Sequence, residues 1–312
     1  THLSFKHGYT LKEILKDKNL VNKKLNILNY EDNDLGVSKS FSKAVVKFSK
    51  LFQNFKPNII VILGDRFEIF SAAVAATLNK IPIAHIHGGE ETVGAIDNVI
   101  RHSITKMSHI HFTSTNDYKK RVIQMGENPK NVFNVGCPYI DYINNQKFLS
   151  KKDLSQILKI DLTDNFALFT QHAVTSEITK NLKNFKLSID TITKFKNIKF
   201  ICLFSNADAG GRSINALLKK QKNIYVFKNL KEYIYLSLMK NADFMIGNSS
   251  AGIREAPSFG TPAINIGTRQ NGRLRALNVI DVKNNKKEIK RAILKCMNNK
   301  LFLKKLKKIR NP

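Results

Sequence analysis

Two groups of ionisable residues follow short apolar runs, and their types suit proton transfer. Asn58 to Leu63 leads into Gly64-Asp65-Arg66-Phe67-Glu68. Pro82 to Ile86 leads through His85-Ile86-His87-Gly88-Gly89-Glu90-Glu91 to Asp97, Arg101 and His102. Clustered carboxylates and imidazoles are how sites tune acids and bases near neutral pH. Strand alternation would put His85 and His87 on one side, and the paired glycines would let backbone approach a ligand closely. Singly, each residue has a structural reading: Asp65 is also a helix N-cap, worth about 1 kcal/mol, and either histidine is also a satisfied core residue. Their number within a short stretch argues for chemistry.

A second set suits anion binding. Phe166 to Thr170 is followed by Gln171-His172, and Lys199 to Phe204 by Ser205-Asn206-Ala207-Asp208-Ala209-Gly210-Gly211, which resembles a small anion loop. Ile246-Gly247-Asn248-Ser249-Ser250-Ala251-Gly252-Ile253-Arg254-Glu255 reads as a strand feeding a helix, whose free N–H groups suit a phosphate. Glu255 could then accept from ribose hydroxyls, and Arg269 and Arg273, just past the next strand, could neutralise a diphosphate. The structural alternative is an N-cap with surface arginines.

The elements that must position these groups alternate. Apolar runs of about five residues are separated by amphipathic stretches, the mark of βαβ units with a parallel sheet buried on both faces. The strands expected are Asn58 to Leu63, Pro82 to Ile86, His109 to Thr113, Val132 to Val135, Phe166 to Thr170, Lys199 to Phe204, Ile224 to Phe227, Phe244 to Ile246 and Pro262 to Ile266. In open parallel sheets ligands bind beyond the carboxyl ends of the strands, where the polar residues stand here. Among the helices expected, one runs from Ser250 to Phe259. A polar stretch from Asn144 to Asp153 interrupts the alternation, so two α/β domains are expected, 1–148 and 149–312. At 312 residues, two domains are also the usual partition.

Composition narrows the class. With 42% hydrophobic and 24% charged residues the chain is globular, not disordered or collagenous. The formal net charge of +28 points first to nucleic acid, but only ten of the 52 basic residues are Arg and the lysines are spread along the chain. No basic stripe interleaved with aromatics appears, so neither nucleic acid nor a membrane is expected as partner. The lysines from Lys286 to Lys308 read as solvated faces of helices that turn Ile289, Ile293, Leu301, Leu303 and Leu306 inward. Cys137, Cys202 and Cys296 are few and scattered, which suits a reducing cytoplasm and suggests no zinc site.

Together these segments closely resemble the hydrolysing UDP-N-acetylglucosamine 2-epimerases of sialic-acid and legionaminic-acid synthesis. The resemblance runs from His2-Leu3-Ser4 to Val282 and is strongest in Gly64 to Glu68, His85 to Glu90, Ile100 to Lys106, Gly247 to Ser250 and Gly267 to Gln270. It implies a glycosyltransferase-B-like fold, two Rossmann-like domains with the sugar nucleotide in the cleft between them. It also implies no metal or nicotinamide cofactor and a homodimer or homotetramer. The chemistry implied is elimination of UDP after proton removal at C2, then hydration of the glycal to N-acetylmannosamine. Close relatives act instead on nucleotide-linked N,N'-diacetylbacillosamine.

Carried over by position, Asp65 and Asp97 match the family's catalytic carboxylates and His172 its catalytic histidine. Ser249, Ser250, Glu255 and Arg269 match nucleotide-binding positions, with Arg66 near the phosphates; His2, Gly252, Arg273, Asn206 and Asp208 are further substrate-binding candidates. Non-hydrolysing relatives carry His-x-Glu-Ala-Gly where this chain has His85-Ile86-His87-Gly88-Gly89. The glutamate's role therefore falls to His87 or to Glu90. The family's opening strand and Gly-Thr-Arg loop, and its final helix, have no counterpart in this sequence. The resemblance thus implies an internal portion of a longer enzyme, expected by itself to bind UDP weakly and turn over little substrate.

Two other enzyme classes share parts of the pattern. Gly64-Asp65 with His85-Ile86-His87 could open a dinuclear metallophosphoesterase site, although its later Asn-His and His-x-His segments are missing. A glycosyltransferase would share the architecture and differ in requiring an acceptor.

Overall fold

The computed structural model describes residues 2, 3, 9, 11–15, 21–29, 34–91, 96–174, 179–205 and 211–311. Packing divides the chain into two compact units, one ending at Cys137 and the other continuing from Pro138. That break falls upstream of the expected one at 148/149, and the intervening apolar residues explain why. Ile143 is fully buried with Leu154, Leu162 and Phe166, and Phe148 and Leu149 pack against the same cluster.

The first unit runs α1 (Leu11–Ile14), α2 (Asp34–Phe55), β1 (Ile60–Leu63), α3 (Phe67–Leu78), β2 (Ile83–Ile86), α4 (Ile96–Met107), β3 (Ile110–Thr113), α5 (Asn116–Gln124) and β4 (Val132–Asn134). Its strands form a parallel sheet in sequence order. Parallel neighbours cannot be joined by a tight turn, so a helix lies between each pair and every strand-to-helix loop opens at the same sheet edge. Ala73, Ala75 and Ala76 of α3 are fully buried with Ile62, Ile83 and Ile104, and such small side chains let the helix lie close to its neighbours.

The second unit runs α6 (Pro138–Asn144), α7 (Lys151–Leu158), β5 (Phe166–Thr170), α8 (Asn181–Ile192), β6 (Lys199–Leu203), α9 (Gly211–Lys219), β7 (Tyr225–Phe227), α10 (Glu232–Asn241), β8 (Phe244–Gly247), α11 (Ala251–Arg254), β9 (Ala263–Ile266), β10 (Val279–Val282), α12 (Lys286–Asn298) and α13 (Lys300–Leu306). The sheet order is β10-β9-β8-β5-β6-β7, parallel throughout. The direction of winding therefore reverses between β5 and β8, the topological switch point at which doubly wound folds bind ligands. Strand β5 is buried at all five positions. Its side chains alternate between two cores, Ala167 and Phe169 with Phe185 and Phe200, Phe166 and Leu168 with Leu238 and Met239.

The α/β class read from the alternation is the fold observed, and four local expectations change. Strand β10 joins the sheet edge unanticipated. Helix α7 begins inside the stretch expected to be a linker, at a capping box in which the Ser150 hydroxyl accepts from Asp153 N and the Asp153 side chain accepts from Ser150 N. The helix expected from Ser250 to Phe259 stops at Arg254, and Ala256–Phe259 is a 3₁₀ turn carrying Pro257, whose ring cannot continue the helical ladder. Among the C-terminal apolar residues Ile289, Ile293 and Leu306 are buried, whereas Leu301 is 76% exposed. No helix among the described residues is long and apolar enough to cross a membrane.

Candidate functional site

In the first unit, the loops at the carboxyl edge of the sheet gather the acid–base groups. Asp65 follows β1 and is ion-paired through Oδ2 to Arg101 Nη2, on α4. Arg101 is 4% exposed, and its Nη1 donates to the Glu90 carbonyl at 2.7 Å, so one buried guanidinium ties the loop after β1 to the loop after β2. Asp97, half-buried in the first turn of α4, holds its proton more tightly than an ordinary aspartate. Burial is the main cause and the nearby Asp65 charge the next, opposed by Arg66 and Arg101. Arg66 is largely exposed and pairs with Glu68 at 3.2 Å; both line, with His2, a cavity of about 360 Å³.

The two histidines diverge. Strand β2 ends at Ile86 and His87 turns into the left-handed region with φ 68°, so strand alternation does not carry through it. His85 is fully buried; its Nε2 donates to the Gly64 carbonyl at 3.0 Å, and Nδ1 lies 3.2 Å from the Thr105 hydroxyl. Burial lowers it to about 4, so it is a neutral strut between β1 and α4. His87 Nδ1 instead meets Glu90 Oε1 at 2.6 Å. The two candidates for one role are thus hydrogen-bonded partners. Gly89, at φ 79°, makes this turn possible, since a Cβ there would run into the Tyr118 carbonyl.

In the second unit, the switch point is organised by Asn248. Its Oδ1 accepts from His172 N at 2.6 Å and its Nδ2 donates to the His172 carbonyl at 2.9 Å, clamping the second residue after β5. The Asn248 carbonyl accepts from Arg269 Nη1 at 3.2 Å and from Gln270 Nε2 at 2.8 Å, which ties in the loop after β9. Arg275 braces that loop through the Arg273 and Gln270 carbonyls. Among the buried oxygens here without a protein partner are Gln171 Oε1 after β5, Gln270 Oε1 after β9 and Glu255 Oε2 after α11. Orphaned buried acceptors are costly unless water or a ligand donates to them. Burial also pushes the Glu255 carboxyl up. Ser249 and Ser250 stand at the head of the single-turn α11, so an anion there would meet free N–H groups more than a helix dipole. Gly252 is buried, and a Cβ on it would press on Ala263. Asn206 and Asp208 lie outside the described residues.

These loops can be compared with known proteins. A model of the UDP-N-acetylglucosamine 2-epimerase family matches residues 1–312. The chain belongs to that family. It is 47% identical over 285 residues to the GDP/UDP-N,N'-diacetylbacillosamine 2-epimerase (hydrolyzing) of Campylobacter jejuni, covering 90% of this chain and 74% of that protein. To the UDP-N,N'-diacetylbacillosamine 2-epimerase (hydrolyzing) of Legionella pneumophila it is 34% identical over 284 residues, covering 90% and 75%. Among solved structures, the UDP-GlcNAc 2-epimerase of Neisseria meningitidis bound to UDP-GlcNAc shares its fold with a TM-score of 0.85 at 22% identity, covering 98% of this chain and 85% of that one.

In this family member the positioning roles of several residues are not disclosed by the sequence. Arg101 and Asn248 stand inside the motifs but are types that usually face water; only long-range packing turns them into buried ties. Gln270 and Arg275 act through backbone carbonyls, which residue type does not disclose. Among the described residues no three His, Cys, Asp or Glu side chains group as metal ligands do.

Proposed function

We propose that this family member is a hydrolysing 2-epimerase of UDP-linked N,N'-diacetylbacillosamine. This moves the substrate from UDP-N-acetylglucosamine, the first expectation, to its diacetylated alternative. The observation that carries the choice is the 47% identity, over 90% of the chain, to an enzyme named for that sugar, with a second so named at 34%. In this reading a base removes the C2 proton, the electron pair forms C1=C2, and the C1–O bond to UDP breaks. Water then adds across the glycal, hydroxyl to C1 and proton to the opposite face of C2, releasing the epimerised free sugar.

The acid–base work falls to Asp65, Asp97 and the Glu90–His87 pair in the first unit and to His172 in the second. Ser249, Ser250, Glu255, Arg269 and Arg273 hold the nucleotide. The test is incubation in deuterated water with UDP- and GDP-linked diacetylbacillosamine and with UDP-N-acetylglucosamine. The expected result is UDP release with one deuterium at C2, and a kcat/KM at least about tenfold higher for the diacetylated UDP-sugar. Release without C2 deuterium would refute elimination, and preference for UDP-N-acetylglucosamine would restore the first expectation. Arg269→Ala should weaken UDP binding by about 1.5–3 kcal/mol, the range for a hydrogen bond to a charged group. Unchanged affinity by calorimetry would remove Arg269 from the nucleotide site.

A further inference from the structure

The His87 imidazole is held at both nitrogens. Nδ1 meets Glu90 Oε1 at 2.6 Å, and Nε2 lies 3.7 Å from Cys137 Sγ, at the end of the first unit. Glu90 Oε1 also accepts from the Ser114 hydroxyl at 3.1 Å, so the carboxylate that fixes the ring is itself fixed. Thiol, imidazole and an orienting carboxylate in this order are the arrangement by which a thiol gives up its proton. Cys137 is half-exposed, whereas Cys202 and Cys296 are buried and burial pushes both of their thiols up.

We infer that Cys137 is a positioning residue of this site: it shares one proton with His87 and thereby sets the charge of the imidazole paired to Glu90. The inference rests on the acid–base reading of the cluster given above. Moving the proton from Sγ to Nε2 leaves a thiolate and an imidazolium; moving it back leaves two neutral groups, and the pair neither gains nor loses a proton. Other charged groups reach this loop from neighbouring elements. His85 on β2 is kept neutral by burial, Arg101 on α4 engages Asp65 and the Glu90 carbonyl, and Arg121 on α5 engages Glu91 and the Gly89 carbonyl. Burial by itself would discharge His87, but the contacts with Cys137 and Glu90 outweigh it and hold the ring up at about 9.

Iodoacetamide tests the sharing directly, because the thiolate is the form that displaces iodide. At pH 7, mass spectrometry should find Cys137 alkylated about fivefold or more faster in the unsubstituted protein than in His87→Gln, where the proton acceptor is gone. Cys137→Ser keeps the volume but offers no readily ionised group. Loss of the thiolate removes a contact that retains the ring proton, so the basic limb of the pH–rate profile should move to lower pH, with the same direction in Cys137→Ala. Equal alkylation rates, or a Cys137→Ser profile that superimposes on the parent's, would overturn the inference. Alkylation that depends on His87 in a protein that releases UDP from no sugar nucleotide would support the proton sharing and count against the epimerase reading.

Discussion

Replacing Asp97 by Asn is expected to lower turnover about a hundredfold or more while leaving the protein no less stable at neutral pH. The first half follows from removing a proton-transfer group, which typically costs two to four orders of magnitude. The second half follows from the environment of the carboxyl. Its folded proton affinity is raised, chiefly by burial and then by Asp65, so its ionised form is disfavoured by the fold. A raised value contributes stability below the ordinary aspartate range that is lost as pH climbs through the shifted value. At pH 7 the native carboxylate is therefore a small burden that Asn relieves.

Asp65→Asn should behave differently, because it strips the charged partner from Arg101, whose side chain is 5% exposed. Breaking a buried pair costs about 3–5 kcal/mol, so any rate lost there is mixed with misfolding. Urea unfolding of both variants followed by circular dichroism, beside turnover, separates the cases. Asp97→Asn turning over within about tenfold of the parent would remove that residue from the proton-transfer step.

How much of this was legible beforehand depends on range. Strand β5 was read to the residue because its burial on both faces leaves an unbroken apolar run. Strand β10, by contrast, has the pattern Val-Ile-Asp-Val, half exposed at a sheet edge, and short edge strands carry little apolar signal. Ser150-Lys151-Lys152-Asp153 announces a helix by its capping box, yet the surrounding polar residues read more strongly as a linker. Pro257 was visible, but whether a proline kinks a helix or ends it is decided by packing.

The site divides along the same line. Asp65, Asp97, His87 and Glu90 could be picked out because they cluster within one stretch and are titratable. That His87 and Glu90 are joined depends on the strand ending at Ile86 and on His87 turning into the left-handed region, which strand alternation does not foretell. Cys137 lies fifty residues from His87 along the chain, and no periodicity links them. Asn248 lies within its motif, but by residue type an amide that clamps a backbone is indistinguishable from a solvated loop residue.

The second large effect is expected from the smallest change at the switch point, Gly247→Ala. Gly247 ends β8 opposite Thr170 of β5, with φ 134°, and a Cβ built there would collide with the Thr170 carbonyl. Because that contact is with backbone in the central strand pair, no side-chain rotation relieves it. Asn248 would be displaced with it, since its N–H donates to the same Thr170 carbonyl at 3.1 Å. The clamp on His172 and the anchor for Arg269 and Gln270 both depend on Asn248, so one methyl group should loosen three loops together. The expected loss is more than about 3 kcal/mol, the strain of a left-handed alanine at about 1–3 kcal/mol with a steric clash added. UDP affinity should fall at least about tenfold, as a ligand then carries the cost of restoring the clamp. Gly64→Ala supplies the control: its φ is 91°, but a Cβ there meets nothing within 4 Å, so strain alone should appear. With no tryptophan in the chain, circular dichroism in urea is the measure of stability, with calorimetry for UDP. If the two alanine variants lose equal stability, the collision with Thr170 is relieved elsewhere and the switch point is not held by Gly247.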